Sequence, residues 1–319
     1  MCKNMIAVAL GMVCSVTAVA AESPNLAFRS AEHGYYAFHT GLLRGKVRLD
    51  GRSQGISSLI YAPTGKELLK PPGLFSYYRV FSNGVRYGEA ARDWPVAAQI
   101  LSNGSLKIHF PPGDDHPLEI TGTFRWRSAD TLDLATTVKA HRRLPRMAVF
   151  LSSYFADGFQ ASVYVSRNLY GSGQAARLMP VDWTELLTGN YVMFPRDRQS
   201  LLTIYDGRWQ IPPNPVTWAF LRYLAAPLAV RRHVPSGLTA ALMSPPADCF
   251  AVGTPYNRTP PDGVAGHSSL YCSLFGGDLT SGESVTARCR LIVGKDLSDE
   301  KVIHRYADYL AGGERRAVQ

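Results

Sequence analysis

Residues 120–164, ITGTFRWRSADTLDLATTVKAHRRLPRMAVFLSSYFADGFQASVY, decide how the chain is read. Thr121, Thr123, Arg125 and Arg127 alternate with Gly122, Phe124, Trp126 and Ser128; the pattern stops around Asp130 and resumes through Leu132, Leu134, Thr136 and Val138. Period-two alternation rich in aromatic and β-branched residues marks strands, and a short polar pause between two such runs marks a hairpin. After the basic turn His141-Arg142-Arg143-Leu144-Pro145, a third strand carries Met147, Val149 and Leu151 into a polar, aromatic tip, Ser152-Ser153-Tyr154-Phe155. The spacing predicts a three-stranded meander.

The same rhythm extends outward. Strands are expected over residues 35–40, 42–49 and 55–61, with Asp50-Gly51 as a hairpin turn, and over 97–101 and 105–110, joined by Ser102-Asn103-Gly104. Further strands are expected over residues 201–206, 238–243, 248–255, 266–276 and 285–293. With about fifteen strands and little helix, the fold class is all-β, a large antiparallel β-sandwich over residues 22–312. One short helix is expected over residues 298–310, where Ser298 precedes Asp299 and Glu300, and Val302, Ile303, Tyr306 and Leu310 share one side. Residues 313–319 are expected to form a disordered tail.

Residues 1–21 have the form of a secretory signal: Lys3, an apolar run over residues 5–16, then Ala18-Val19-Ala20. The run is too short to span a bilayer, so the expectation is an exported protein, periplasmic or secreted, without a transmembrane segment. Two of the five cysteines, Cys2 and Cys14, would leave with that segment. Cys249, Cys272 and Cys289 remain, open to one disulfide (Cys272 with Cys289) and a free thiol, or to three buried thiols. Their spacing suits no zinc site, and no metal or cofactor is expected.

Thirty-four basic residues face 25 acidic ones, a net charge of +9, of which Lys3 leaves with the leader. The arginines are scattered and no nucleic-acid motif is present, so nucleic acid is not an expected partner. An anionic glycan and a merely basic surface both remain open. Nothing bears on oligomeric state.

Residues 71–81, PPGLFSYYRVF, form an aromatic strand, and Asp93-Trp94-Pro95 follows in a loop. Aromatic faces flanked by arginine suit sugar rings, whose C–H faces stack while their hydroxyls take the polar groups; core packing explains the same residues without a ligand. Tyr78, Arg79 and Trp94 are candidates on this ground. Arg44, between apolar neighbours beside Gly45, is another, with nearby His39; the alternative is the wet face of a sheet. The proline-rich segment 208–215 cannot run through a central strand and, with Trp209 and Trp218, has the make-up of a site-lining loop. In the last third, His267, Ser269 and Tyr271 fall on one face of a strand, Asp248 opens the strand before it, and Tyr256 lies just past that strand's end. His267, Tyr271 and Asp248 are the candidates for acid/base chemistry, against a plain hydrogen-bonded polar patch. His39, Arg44, Tyr78, Arg79, Trp94, Tyr154 and Tyr256 are the candidates for holding a ligand.

Phe124-Arg125-Trp126, Thr131-Leu132-Asp133-Leu134 and the 151–155 tip resemble the central strands of the galactose mutarotase-like β-supersandwich, the fold of aldose 1-epimerases and of domains in polysaccharide lyases and glycosidases. More narrowly, the chain resembles uncharacterised exported bacterial proteins of that fold. The resemblance implies a carbohydrate ligand in a concave cleft. It also implies a histidine acid near the central strands and a late glutamate base, since epimerisation needs opposed proton donor and acceptor. Here Ser152 stands where the histidine is expected, and Glu283, the late acid, sits in a turn. The resemblance therefore points away from epimerisation, toward another carbohydrate-active enzyme or a non-catalytic glycan-binding or envelope protein.

Overall fold

The computed structural model describes residues 25–32, 34–50, 55–166, 175–184, 189, 191–258 and 268–317, with side chains described as far as Gly312. The fold is all-β: among the described residues there are three sheets of five, nine and seven strands, with a C-terminal helix. The hairpin read from alternation is present, Leu118–Ser128 against Thr131–Ala140, with Phe124 opposite Leu134 and Trp126 opposite Leu132. These two strands lie inside the nine-stranded sheet, and Phe124, Trp126, Leu132, Leu134 and Val138 are buried in the main core. Each such side chain contributes about 1.5–3 kcal/mol by leaving water. Gly122 is needed there, because a Cβ would stand 2.6 Å from the Tyr77 hydroxyl arriving from the facing sheet.

The meander does not continue. Strand Ala148–Tyr154 pairs with Ser76–Ser82 and Ser269–Phe275 in the seven-stranded sheet, not with Thr131–Ala140. All seven of its residues are buried. Such a strand belongs in the middle of a sheet covered on both faces, which a hairpin neighbour with one wet face could not provide. Its two serines are satisfied: Ser152 Oγ donates to the Ser76 carbonyl at 3.0 Å, and Ser153 Oγ accepts from Phe75 N at 3.2 Å.

The seven-stranded sheet thus has two apolar faces. Tyr77, Val149, Leu151, Val192, Phe194, Leu270 and Cys272 face the main core. Phe150, Tyr154, Met193, Tyr271 and Trp218 form a second cluster with Trp209 and Ile204, from the segment laid over the opposite face. That segment contains a second departure from the sequence reading. Residues 198–204 are a helix, Arg198–Ile204, capped by Asp197, which accepts from Ser200 N at 2.8 Å, where a strand over 201–206 was expected. A short apolar run does not separate the two states, and the cap decides it.

The C-terminal helix, Asp299–Ala317, continues beyond residue 310. Val302, Tyr306 and Tyr309 pack on the outer face of the nine-stranded sheet. Cys249, Cys272 and Cys289 are free and buried, so no disulfide links 272 to 289. Among the described residues no helix is long and apolar enough to cross a membrane.

Candidate functional site

The site is built on the second face of the seven-stranded sheet. Phe150 pairs with Arg79 and Leu151 with Tyr77, leaving Tyr78 as the extra residue of a bulge. A bulge puts two successive side chains on one side of a strand. Tyr77 and Val80 face the main core, whereas Tyr78 packs on the second cluster beside Arg79. One irregularity therefore delivers a phenol and a guanidinium to the same place.

Next to them lies a set of hydroxyls. Ser269 Oγ donates to the Tyr271 hydroxyl at 2.8 Å, and the Tyr154 hydroxyl lies close enough to feel both Tyr271 and the charge of Arg92. Burial pushes the Tyr271 hydroxyl well above the usual phenol range, with neighbouring Tyr154 adding to the shift. Burial likewise raises Tyr154, and raises Tyr191 to about 12. These phenols remain protonated at neutral pH, so they are hydrogen-bonding groups rather than bases. Phe150 stacks on Tyr271, ring centroids 4.8 Å apart, and holds its ring in place.

The rim is the proline-rich segment. Arg86 donates to the carbonyls of Ile211, Pro212 and Pro213 at 3.1, 2.8 and 2.7 Å, and Arg79 donates to that of Asn214. Trp209 drives its edge against Phe150, Phe81 and Trp218, centroids 4.7–5.0 Å apart. Between rim and sheet lies a cavity of about 290 Å³ lined by Tyr78, Arg79, Arg86, Arg92, Pro213 and Asn214, and also by Glu89 and Asp93.

Its lining carries three guanidinium groups and two carboxylates, Glu89 and Asp93. Among the described residues, none of Arg79, Arg86 and Arg92 forms an ion pair with a carboxylate. Arg79 is 1% exposed, and among the described residues its Nε and one terminal nitrogen have no hydrogen-bond partner; the same two atoms of Arg92 are also buried and have none there. The Tyr78 ring lies 5.2 Å from the Arg79 guanidinium and 4.7 Å from that of Arg92, which offsets part of the cost of burying charge. Burial, then the neighbouring charge of Arg79, lowers the pKa of Arg86.

The structure brings together Tyr78, Arg79, Tyr154 and Tyr271 of the residues singled out from sequence. His267 lies outside the described residues. Asp248 is at the other end of its strand, where it accepts from Arg288 N and Nε at 2.9 and 2.8 Å. Tyr271 pairs instead with Gly253, so Asp248 and Tyr271 do not meet. His39 and Arg44 are opposite one another on exposed positions of the five-stranded sheet. Trp94 is in the main core, stacked on His116 with centroids 3.7 Å apart, and Tyr256 is in the same core. Ser152, buried among these groups, is committed to a backbone carbonyl, and Glu283 caps a distant exposed turn at Thr280. Arg86, Arg92 and Tyr191 were not singled out. Arg86 follows the Ser82-Asn83-Gly84 turn, and Arg92 sits in a single 3-10 turn, Ala91–Asp93, with no signature of its own. Among the described residues no three His, Cys, Asp or Glu side chains come close enough to hold a metal ion.

No protein-family model matches the chain, and no curated protein sequence matches it. Solved structures do. The Slr1438 protein from Synechocystis sp. PCC 6803 is 11% identical over 88% of this chain and 100% of its own, with a TM-score of 0.50. The alpha-N-acetylgalactosaminidase NagBb from Bifidobacterium bifidum, solved with GalNAc, is 10% identical over 89% of this chain and 38% of its own, with a TM-score of 0.51. A GalM/aldose epimerase homologue from C. elegans is 8% identical over 85% of this chain and 99% of its own, with a TM-score of 0.49. At these identities the likeness is one of fold alone, shared along most of this chain.

Proposed function

We propose that this is an exported protein that binds an acidic glycan between the second face of the seven-stranded sheet and its proline-rich rim. The fold is one found among carbohydrate-acting proteins, which gives the ligand class by analogy of fold. The observation that carries the reading is local: three guanidinium groups line one cavity, none of them in an ion pair with a carboxylate among the described residues although Glu89 and Asp93 line it too, and two of them have buried nitrogens without a hydrogen-bond partner there. A sugar carboxylate would supply the missing acceptors in the planar geometry that guanidinium matches. Tyr78 and Tyr191 offer partly exposed ring surface, Tyr78 lining the cavity itself.

Binding is favoured over turnover. The phenols of Tyr154 and Tyr271 beside the cavity hold their protons, Ser152 is committed to the backbone, and Asp248 is tied to Arg288; the carboxylates that line the cavity, Glu89 and Asp93, are both exposed to water. A thermal-shift screen of the mature chain against neutral and uronic-acid oligosaccharides tests the reading, with product analysis of every hit. Stabilisation by uronates alone, without new products, is expected. Stabilisation by neutral sugars only, or by none, would overturn it, and turnover would replace a binding protein with an enzyme.

A further inference from the structure

A second cavity, of about 480 Å³, adjoins the first. It is lined by Pro71 and Pro72 and by Tyr35, Lys46, Arg48 and Ser57 of the five-stranded sheet. Arg92 lines both cavities. The second is also basic. Lys46 Nζ sits 4.3 Å from the centroid of the Tyr35 ring, which holds the ammonium in place, and it has no carboxylate partner among the described residues. Arg48 has one, Asp50 at 3.1 Å, an exposed pair on which salt and a competing anion act easily. Cations thus run from Arg79 and Arg86 through Arg92 to Lys46 and Arg48, across a boundary between two sheets that share no strand.

A single sugar carboxylate would use one end of this row. Nothing in the first cavity explains why the second repeats its charge. We infer that the two cavities are adjacent subsites of one groove joined at Arg92, and that the ligand is a linear acidic oligosaccharide with charged units in both. This rests on the acidic-glycan reading above and extends it from a sugar to a chain. Linking two anionic units makes the second contact intramolecular, so affinity rises with length until both subsites are filled.

Calorimetric titration with galacturonic acid and its linear trimer, and with mannuronic acid and its trimer, tests the inference on the wild type and on the double variant Lys46→Ala, Arg48→Ala. Both side chains are outside the buried core, and an unchanged thermal unfolding midpoint verifies that the variant is folded. The wild type is expected to bind one trimer at least about tenfold more tightly than its monomer, a difference of ~1.4 kcal/mol. The double variant is expected to lose that gain while binding the monomer as before. Equal affinity for monomer and trimer overturns this inference and leaves the acidic-glycan reading standing, as does equal weakening of both ligands in the variant. Absence of binding by all four uronates overturns the two together.

Discussion

The Arg92 guanidinium lies 4.7 Å from the centroid of the Tyr78 ring, and its charge also acts on the Tyr154 hydroxyl. It therefore acts on both the bulged strand Ser76–Ser82 and the tip of Ala148–Tyr154 from outside the sheet. Substituting it affects both the geometry and the charge of the cavity. Arg92→Met keeps most of the apolar stem and removes the head. It is expected to weaken uronate binding by about 1.5–3 kcal/mol, the usual worth of a hydrogen bond to a charged group. Calorimetry beside Arg92→Lys separates the two contributions, since lysine restores charge but not the planar fork.

Asp248 offers the opposite case. Its contacts are with Arg288, whose side chain is 48% exposed, and with the Arg288 backbone N–H, away from the cavity. Asp248→Asn is expected to lower stability by about 1–3 kcal/mol and to leave glycan affinity unchanged. Urea unfolding and calorimetry on one preparation check both halves.

Gly253 holds open the space that Trp218 occupies. A Cβ there would stand 3.1 Å from Trp218 Cζ3 and 3.3 Å from Met193 Sδ, closer than packed atoms usually come. Gly253→Ala is expected to cost about 1–3 kcal/mol by overpacking and to shift Trp218. Chemical denaturation reads the first effect, and near-ultraviolet circular dichroism reads the second.

Alkaline stability follows from the tyrosines. Tyr191 titrates at about 12 in the fold against 10.0 for an ordinary phenol, and burial shifts Tyr154 and Tyr271 in the same direction. A raised folded-state pKa gives stability that is present below pH 10 and is lost as pH climbs through the folded value. Arg231 acts oppositely. Buried without a carboxylate, it titrates at about 9 rather than 12.5, so its contribution to stability rises above pH 9. Stability is expected to fall between pH 10 and 12, and Tyr191→Phe to flatten that fall. Denaturation curves across the window decide it.

Alternation alone made the hairpin over residues 118–140 legible, because each of its strands has one buried face and period two shows that directly. The same reasoning misplaced Ala148–Tyr154, where both faces are covered and alternation carries no information about the neighbouring strand. Tyr78 and Arg79 were found through their aromatic surroundings, although the bulge that turns both to one side has no sequence mark. Arg92 and Arg86 were not found, because each gains its meaning from groups far along the chain: Arg86 from the carbonyls of residues 211–213, Arg92 from Tyr154. Trp94 was a reasonable aromatic candidate that the fold uses against His116 in the core.

The central claim is that unpaired arginines in the first cavity recognise a sugar carboxylate. Calorimetry with one uronic-acid trimer and its carboxyl-reduced neutral counterpart, at matched ionic strength, on wild type and Arg79→Met, tests it most directly. The account predicts tight binding of the acidic trimer by the wild type, at least about tenfold weaker binding of the reduced one, and loss of that preference in Arg79→Met. Equal binding of the two trimers by the wild type, or an undiminished preference in Arg79→Met, would contradict it.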